Sequence, residues 1–338
     1  MLISNLAIGP MSREVIEAVF KYSAINKKQL MLICSRNQID YNHGYVFLTP
    51  IYMSFLNRML ILYPQSDVII CRDHCGPGFG SIDDSIDSVM ETIRTDIQCG
   101  FDLIHIDLCH LNVHHDEKIK ITIDLIEFAK KINPHLLFEI GTDENTGNAE
   151  TDLDKIINDI HAIREACDPE FYVVQTGSLV KEMANVGSFN RVATNKMSQI
   201  LHENHIKLKE HNADYLNVKR LKNRKGIVDA VNIAPQLGVI QTQCVLMYAH
   251  MLGVDCIDFC RVVAKNKKWQ KWLCYDGSIK DPMLLTMIAG HYHYKTDEYQ
   301  DVITQLKERI DIKQEIIRVI QHIIEHYLTC LGGKNADI

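Results

Sequence analysis

The chain has 338 residues, 46% of them hydrophobic and 23% charged, which is enough apolar material to bury a large core and excludes a disordered chain. Its formal net charge of −7 speaks against a broad nucleic-acid footprint, because neutralising phosphates needs a basic surface. No apolar run approaches the ~20 residues needed to cross a bilayer, so neither nucleic acid nor membrane is expected as a partner.

Short apolar runs, many rich in β-branched residues, alternate with longer stretches of helical periodicity. In chain order the predicted strands are Ile3–Ile8, Gln29–Cys34, Asp67–Cys71, Leu103–Ile106, Leu136–Ile140, Phe171–Val174, Ile206–Leu208 and Ile227–Ile233. Helices are predicted between them, among others over Arg13–Tyr22, Ser81–Cys99, Lys118–Lys131, Asp152–Ala166 and Arg191–His202. This alternation is the signature of a parallel α/β sheet, and eight units without a second sheet pattern favour a closed (β/α)8 TIM barrel. An open doubly wound sheet is the alternative, but no Gly-x-Gly-x-x-Gly follows a strand. The barrel is expected to span residues 1–289. Residues 290–338 form a C-terminal helical extension, in which Tyr299–Leu331 reads as one or two amphipathic helices that cover the barrel or another subunit.

The start, Met1–Arg13, lacks the basic segment, apolar stretch and cleavage site of a secretory leader. Eleven cysteines are scattered without a Cys-x-x-Cys pair, and Cys71/Cys75 and Cys256/Cys260 are spaced by four, which suits neither a zinc knuckle nor a thioredoxin motif. A reducing, cytoplasmic location is expected. The basic run Lys219, Arg220, Lys222, Arg224, Lys225 is read as a solvated helix face rather than an anion patch.

A parallel barrel carries its chemistry at the carboxyl ends of its strands, where this chain is unusually polar. Strand 2 ends in Ser35-Arg36-Asn37-Gln38, strand 3 in Arg72-Asp73-His74-Cys75 and strand 4 in Asp107. Strand 5 runs through Glu139 and Gly141 into Thr142-Asp143-Glu144-Asn145, strand 6 into Gln175-Thr176-Gly177, strand 7 into Glu210-His211-Asn212-Ala213-Asp214, and strand 8 contains Asn232. One such residue alone is usually a helix cap. A closed barrel, however, gathers His74, Glu139, Gln175, His211 and Asn232 on one rim. Two histidines with an oxygen donor make a divalent-metal site, and imidazole suits zinc. His105 is expected to point into strand packing, His110, His114 and His115 to lie on a loop, and His291 and His293 to lie beyond the barrel, all structural or solvated.

The ordered set Ser35-Arg-Asn-Gln-Ile, Arg72-Asp-His-Cys-Gly-Pro, Gly100-Phe-Asp-Leu-Ile-His-Ile-Asp107, Glu139-Ile-Gly-Thr, Val173-Val-Gln-Thr-Gly177, Glu210-His-Asn-Ala-Asp-Tyr215 and Val231-Asn-Ile-Ala-Pro235 resembles the class II aldolase superfamily, most closely the Z-type subunit associated with tagatose-bisphosphate aldolase. The Trp269–Tyr275 segment also fits, whereas Gly290-His-Tyr-His-Tyr294 departs from the pattern. The resemblance implies a divalent metal, zinc in the first instance, that chelates a ketose carbonyl and stabilises an enediolate. It implies His74 and His211 as ligands with Gln175 where a third would stand, Asp73 as proton shuttle, Asn232 on the enediolate and Glu139 as a supporting or alternate ligand. Asn37, Asp107, Gln175 and Asp214 are placed to bind substrate. Three positions depart from the catalytic pattern: Gln175 replaces a histidine, Asn212-Ala213-Asp214 replaces a glycine-rich phosphate cradle, and Pro235 replaces a threonine.

The expected activity is metal-dependent carbon–carbon cleavage or formation in a ketose or ketose phosphate. The alternatives are a non-catalytic subunit that stabilises an aldolase, and a sugar isomerase or epimerase using the same metal-held enediol. Expected partners are the sugar and either further copies of the chain or an aldolase-type subunit.

Overall fold

The computed structural model describes residues 2–80, 84–141, 147–149, 152–275, 277 and 279–332. Eight short parallel strands close on themselves: β1 (Leu6–Ile8), β2 (Gln29–Ser35), β3 (Asp67–Cys75), β4 (Leu103–Ile106), β5 (Leu137–Ile140), β6 (Phe171–Val173), β7 (Lys207–Glu210) and β8 (Ala230–Ile233). Each pairs with its neighbours in chain order, and β8 returns to β1 through Leu6 opposite Val231. The expected TIM barrel is the observed fold.

Strand β1 begins three residues later than expected and β7 ends two later, and two further ends differ for identifiable reasons. Strand β3 runs on to Cys75, past the end of its apolar run, because Arg72 and Asp73 keep their ladder partners Cys34 and Ser35 on β2. The Arg72 side chain turns outward and is buried, its guanidinium held by Asp96 at 2.6 Å. Ile227 and Val228 do not extend β8. Their amides donate to the Arg224 carbonyl and close a turn instead.

The first eight helices are α1 (Arg13–Asn26), α2 (Thr49–Leu62), α3 (Ile86–Cys99), α4 (His115–Ile132), α5 (Leu153–Ile163), α6 (Arg191–Glu203), α7 (Val218–Lys222) and α8 (Pro235–Leu252). Ser12, Ser85, Asp152, Asn190 and Asn217 each accept an amide of the first turn, which fixes where α1, α3, α5, α6 and α7 begin. The helix predicted from Ser81 starts at Ile86, and residues 81–83 lie outside the described residues. Beyond the barrel follow α9 (Ile257–Asn266), α10 (Pro282–Ala289), α11 (Asp297–Lys307) and α12 (Ile312–Leu331). Helix α12 buries Ile316, Ile317, Ile320, Ile324 and Tyr327 and lies against α1, α7 and α8.

Inside the barrel, Ala7, Met31, Ile33, Cys71, Leu103, Phe171 and Ala230 form an apolar plug with Leu2. Side chains two residues apart on a strand share a face. The residues two positions beyond Cys71, Leu103, Leu137 and Ala230 are Asp73, His105, Glu139 and Asn232. The plug therefore sets the register that turns these polar groups inward, one layer nearer the carboxyl ends.

Candidate active site

Above the plug, four groups converge. One ligand atom from each of Asp73, His74, His105 and His211 lies within 4.8 Å of the others. Strand β3 slips register between Arg72 and Cys75, and His74 takes a left-handed backbone with φ of 45°. This irregularity lets adjacent residues Asp73 and His74 face the same site, although neighbours on a regular strand point to opposite sides. The rings of His74 and His211 lie edge to face with centroids 5.2 Å apart, and the His105 ring is 5.1 Å from His211.

Each imidazole is oriented from behind. His74 Nδ1 donates to Asp107 at 2.5 Å, His105 Nε2 to the Gly141 carbonyl at 2.9 Å, and His211 Nε2 to Glu139 at 2.8 Å. With those protons committed outward, the remaining nitrogens face Asp73: His74 Nε2 at 3.7 Å, His105 Nδ1 at 3.2 Å and His211 Nδ1 at 3.8 Å. The His105 nitrogen also receives a long contact from the His74 amide at 3.3 Å, which agrees with its being the unprotonated one. Gly76 is required here: a Cβ would meet the Asp107 carbonyl oxygen at 1.6 Å, so only glycine lets the end of β4 come close enough to reach His74.

The electrostatics follow from burial against pairing. Burial opposes ionisation of Asp73, yet His74, His211 and His105 hold it far below the usual carboxylate range. Burial also opposes a charged His74, but Asp73 and Asp107 push it up to about 9. His105 is raised, burial being outweighed by Glu139 and Asp73, whereas burial prevails at His211 and lowers it. Glu139, resisted by burial but paired with Lys209, falls to about 2.

A cavity of about 600 Å³ opens over this cluster. Asn37, Gln38, Asp73, His74, His211, Asp214 and Asn232 line it from the barrel, and Lys267, Lys268, Lys271 and Trp272 from the segment after α9 close it together with Tyr292, which follows α10. The Asn232 carboxamide oxygen is buried there without a partner among the described residues. Asp214 lies at the head of α8, where its Oδ1 accepts the amides of Ala234 at 2.9 Å and Gln236 at 2.8 Å.

The residues singled out from sequence separate into two groups. Asp73, His74, His211, Asn37, Asp214 and Asn232 reach the cavity, whereas Glu139, Asp107 and Gln175 are not among its lining residues. Glu139 and Asp107 instead lie behind the histidines. Arg36 turns away from the rim to Asp40 at 3.0 Å, and Arg224 of the basic run is buried on Glu210 at 2.7 Å rather than solvated. The run after β5, Thr142 to Asn145, lies outside the described residues. His105 is buried in strand packing as expected, yet its ring faces Asp73 and not the helix layer. The sequence held a signal for this: His105 precedes the rim residue Asp107 by two, which places both on one strand face. Lys209, fully buried against Glu139, is a further residue of the site that sequence reasoning misses.

No known family profile matches the chain. Among solved structures, a protein described as a probable tagatose 6-phosphate kinase from Sinorhizobium meliloti 1021 superposes with a TM-score of 0.82 at 15% identity, over 96% of this chain and 99% of that one. A fructose-bisphosphate aldolase from Campylobacter jejuni matches with a TM-score of 0.61 at 12% identity, over 97% of this chain and 91% of that one. The YdjI aldolase from Escherichia coli K12 matches with a TM-score of 0.58 at 11% identity, over 96% of this chain and 92% of that one. At these identities the likeness is one of fold. Among the described residues, no helix is long and apolar enough to cross a membrane.

Proposed function

We propose that the protein is a divalent-metal-dependent lyase of class II aldolase type, which cleaves or forms a carbon–carbon bond in a ketose or ketose phosphate. The observation that carries this is the convergence of three imidazole nitrogens, each with its other N–H donated outward, upon one carboxylate. At 3.2–3.8 Å from a carboxylate oxygen these nitrogens call for positive charge, which protons supply in the metal-free site, Asp73 and Asp107 raising His74 to about 9, and which a divalent ion would supply in their place. Ligand atoms around a tetrahedral zinc with ~2.0–2.1 Å bonds stand roughly 3.3 Å apart, so the candidate ligand atoms, which lie within 4.8 Å of one another, would draw together on binding it. Outward donation to carboxylate or carbonyl is also the usual support of metal-binding histidines.

His74, His105 and His211 would hold the ion, and the nitrogen-rich set favours zinc. Of the three, His105 replaces Gln175 as the expected third ligand. When bound, the metal supplies a Lewis acid that polarises the ketose carbonyl. Asp73, kept ionised beside the cavity, takes the proton from the hydroxyl that becomes the aldehyde. Asn232 places an amide against the oxyanion that develops at the former carbonyl. Asp107 and Glu139 hold His74 and His211 in the tautomers that leave the inner nitrogens free. An intact constellation of this kind also favours a catalyst over a purely stabilising subunit.

Elemental analysis of the purified chain, combined with a screen of ketoses and ketose phosphates for aldehyde release, tests the proposal. Stoichiometric zinc, manganese or cobalt together with turnover lost in His74→Ala is expected. No bound metal and unchanged turnover in that variant would overturn it. Solvent-deuterium incorporation without aldehyde release would reassign the same site to isomerisation.

A further inference from the structure

Phosphate groups in many barrels of this architecture sit at the turn after the last strands, on the free amides of a helix N-terminus. In this chain that position is taken by the chain itself. The Asp214 carboxylate accepts the amides of Ala234 and Gln236 at the head of α8, and Asp214 is 1% exposed. The residue between them, Pro235, has no amide hydrogen to offer. A substrate anion approaching there meets occupied donors and an acidic side chain.

Across the cavity the situation is reversed. Among the described residues, and apart from imidazoles, the cationic lining residues belong to one segment, as Lys267, Lys268 and Lys271. Among the described residues, Lys268 and Lys271 have no carboxylate partner. Their ammonium groups stand over aromatic rings instead, Lys268 at 5.2 Å and Lys271 at 5.3 Å from the Tyr292 centroid, with Lys271 also 4.8 Å from Trp272. Two cations without a carboxylate partner among the described residues thus line a cavity over the imidazole and carboxylate cluster.

We infer that the site takes a ketose with a single anionic terminus, held at the mouth by Lys268 and Lys271, and that Asp214 bars a second anion from the β8 turn. This rests on the ketose reading above and narrows its substrate class to ketoses that carry one anionic group, called monoanions below whatever the charge of that group, phosphate and carboxylate being the two groups that this rim would bind alike.

Calorimetric titration of zinc-loaded protein with fructose, fructose 6-phosphate, fructose 1,6-bisphosphate and a six-carbon keto acid tests the inference without requiring turnover. A monoanion is expected to bind at least about tenfold more tightly than fructose, equivalent to one good charge-assisted contact, with the bisphosphate gaining nothing over the monophosphate. The tighter of the two monoanions names the terminal group. In folded Lys268→Ala/Lys271→Ala protein the monoanion advantage disappears while fructose binding persists, and in Asp214→Ser the bisphosphate overtakes the monophosphate. Bisphosphate preference in the parent protein, or monoanion binding no tighter than fructose, overturns the inference. Zinc content is measured on the same samples, so an absent metal, which sinks the lyase reading, is distinguished from an absent anion preference, which sinks this one.

Discussion

The two walls of the cavity are built on opposite principles. On the barrel side, the outer nitrogens of His74, His105 and His211 all have partners, and those partners are themselves anchored, Glu139 by Lys209 and Asp107 by accepting the Cys109 amide at 3.0 Å. On the side formed after α9, Lys268 and Lys271 stand without a carboxylate partner among the described residues. A satisfied network in a low-dielectric interior is rigid and specific, whereas unpaired donors at a mouth gain their partners from whatever binds. The contrast teaches that geometry for chemistry is set by strands before any ligand arrives, and recognition is left to a segment that the strands do not constrain.

The sharpest way to break that contrast is to remove one inner nitrogen. In the proposed zinc site, one of three protein ligands would carry several kcal/mol of a binding free energy that reaches on the order of 10 kcal/mol. His105→Ala is therefore expected to lose at least ~100-fold in zinc affinity, with turnover falling alongside, whereas Gln175→Ala keeps both. Competition with a chromophoric chelator measures this, and wild-type affinity in the His105 variant would remove the third imidazole from the centre.

The next effect concerns the head of α8. Burial raises Asp214 to about 7 against the pull of the Gln236 and Ala234 amides. Between the ordinary carboxylate value near 3.8 and about 7 the folded chain keeps a proton that the unfolded chain releases. Stability from this group is thus full below that window and falls as pH rises through it, by roughly 1.4 kcal/mol for each pH step of one at most. Asp214→Asn retains an acceptor for both amides and cannot ionise, so its melting temperature relative to the parent is expected to climb from pH 4 to pH 8. A constant difference would show that Asp214 is not desolvated. A smaller effect tests the outer support: Asp107→Asn loosens His74 and should cost ~10–100-fold in zinc affinity with little change in melting temperature.

How much of this was legible depended on whether local pattern and final contact coincide. All eight strands fall on the apolar runs read for them, because an apolar run flanked by helical periodicity has few other uses; the first and the last were each overrun by three residues, at 3–5 and 227–229, and Ile227 and Val228 are apolar residues whose amides a helix-ending turn had already taken. Strand β3 reads short in the sequence because Arg72 looks like a rim residue, and nothing local announces Asp96 as its partner 24 positions later. For His105, alternation within Leu-Ile-His-Ile is mute because every residue of β4 is buried, and the one local sign of its side is the rim residue Asp107 two positions on. The rim residues are legible as a set, since closure of a barrel alone brings them together. Which of them touch the cavity and which brace the histidines depends on side-chain reach, and that is not written in spacing.

The smallest effect separates the cavity from its surroundings. The Tyr327 hydroxyl, carried by α12 and fully buried, donates to the Ala213 carbonyl at 2.7 Å and takes the Leu216 amide at 3.3 Å. It thereby ties the C-terminal helix to the loop between His211 and Asp214. Tyr327→Phe leaves that carbonyl unpaired in the interior, at a cost of about 1–3 kcal/mol in stability. If the imidazoles are held by Asp107, Gly141 and Glu139, as the barrel-side network requires, zinc affinity in this variant stays within about threefold of the parent while the melting temperature drops. An affinity loss as large as that of Asp107→Asn would mean that the position of His211 is set from α12, and that the barrel wall is less self-sufficient than its hydrogen bonds imply.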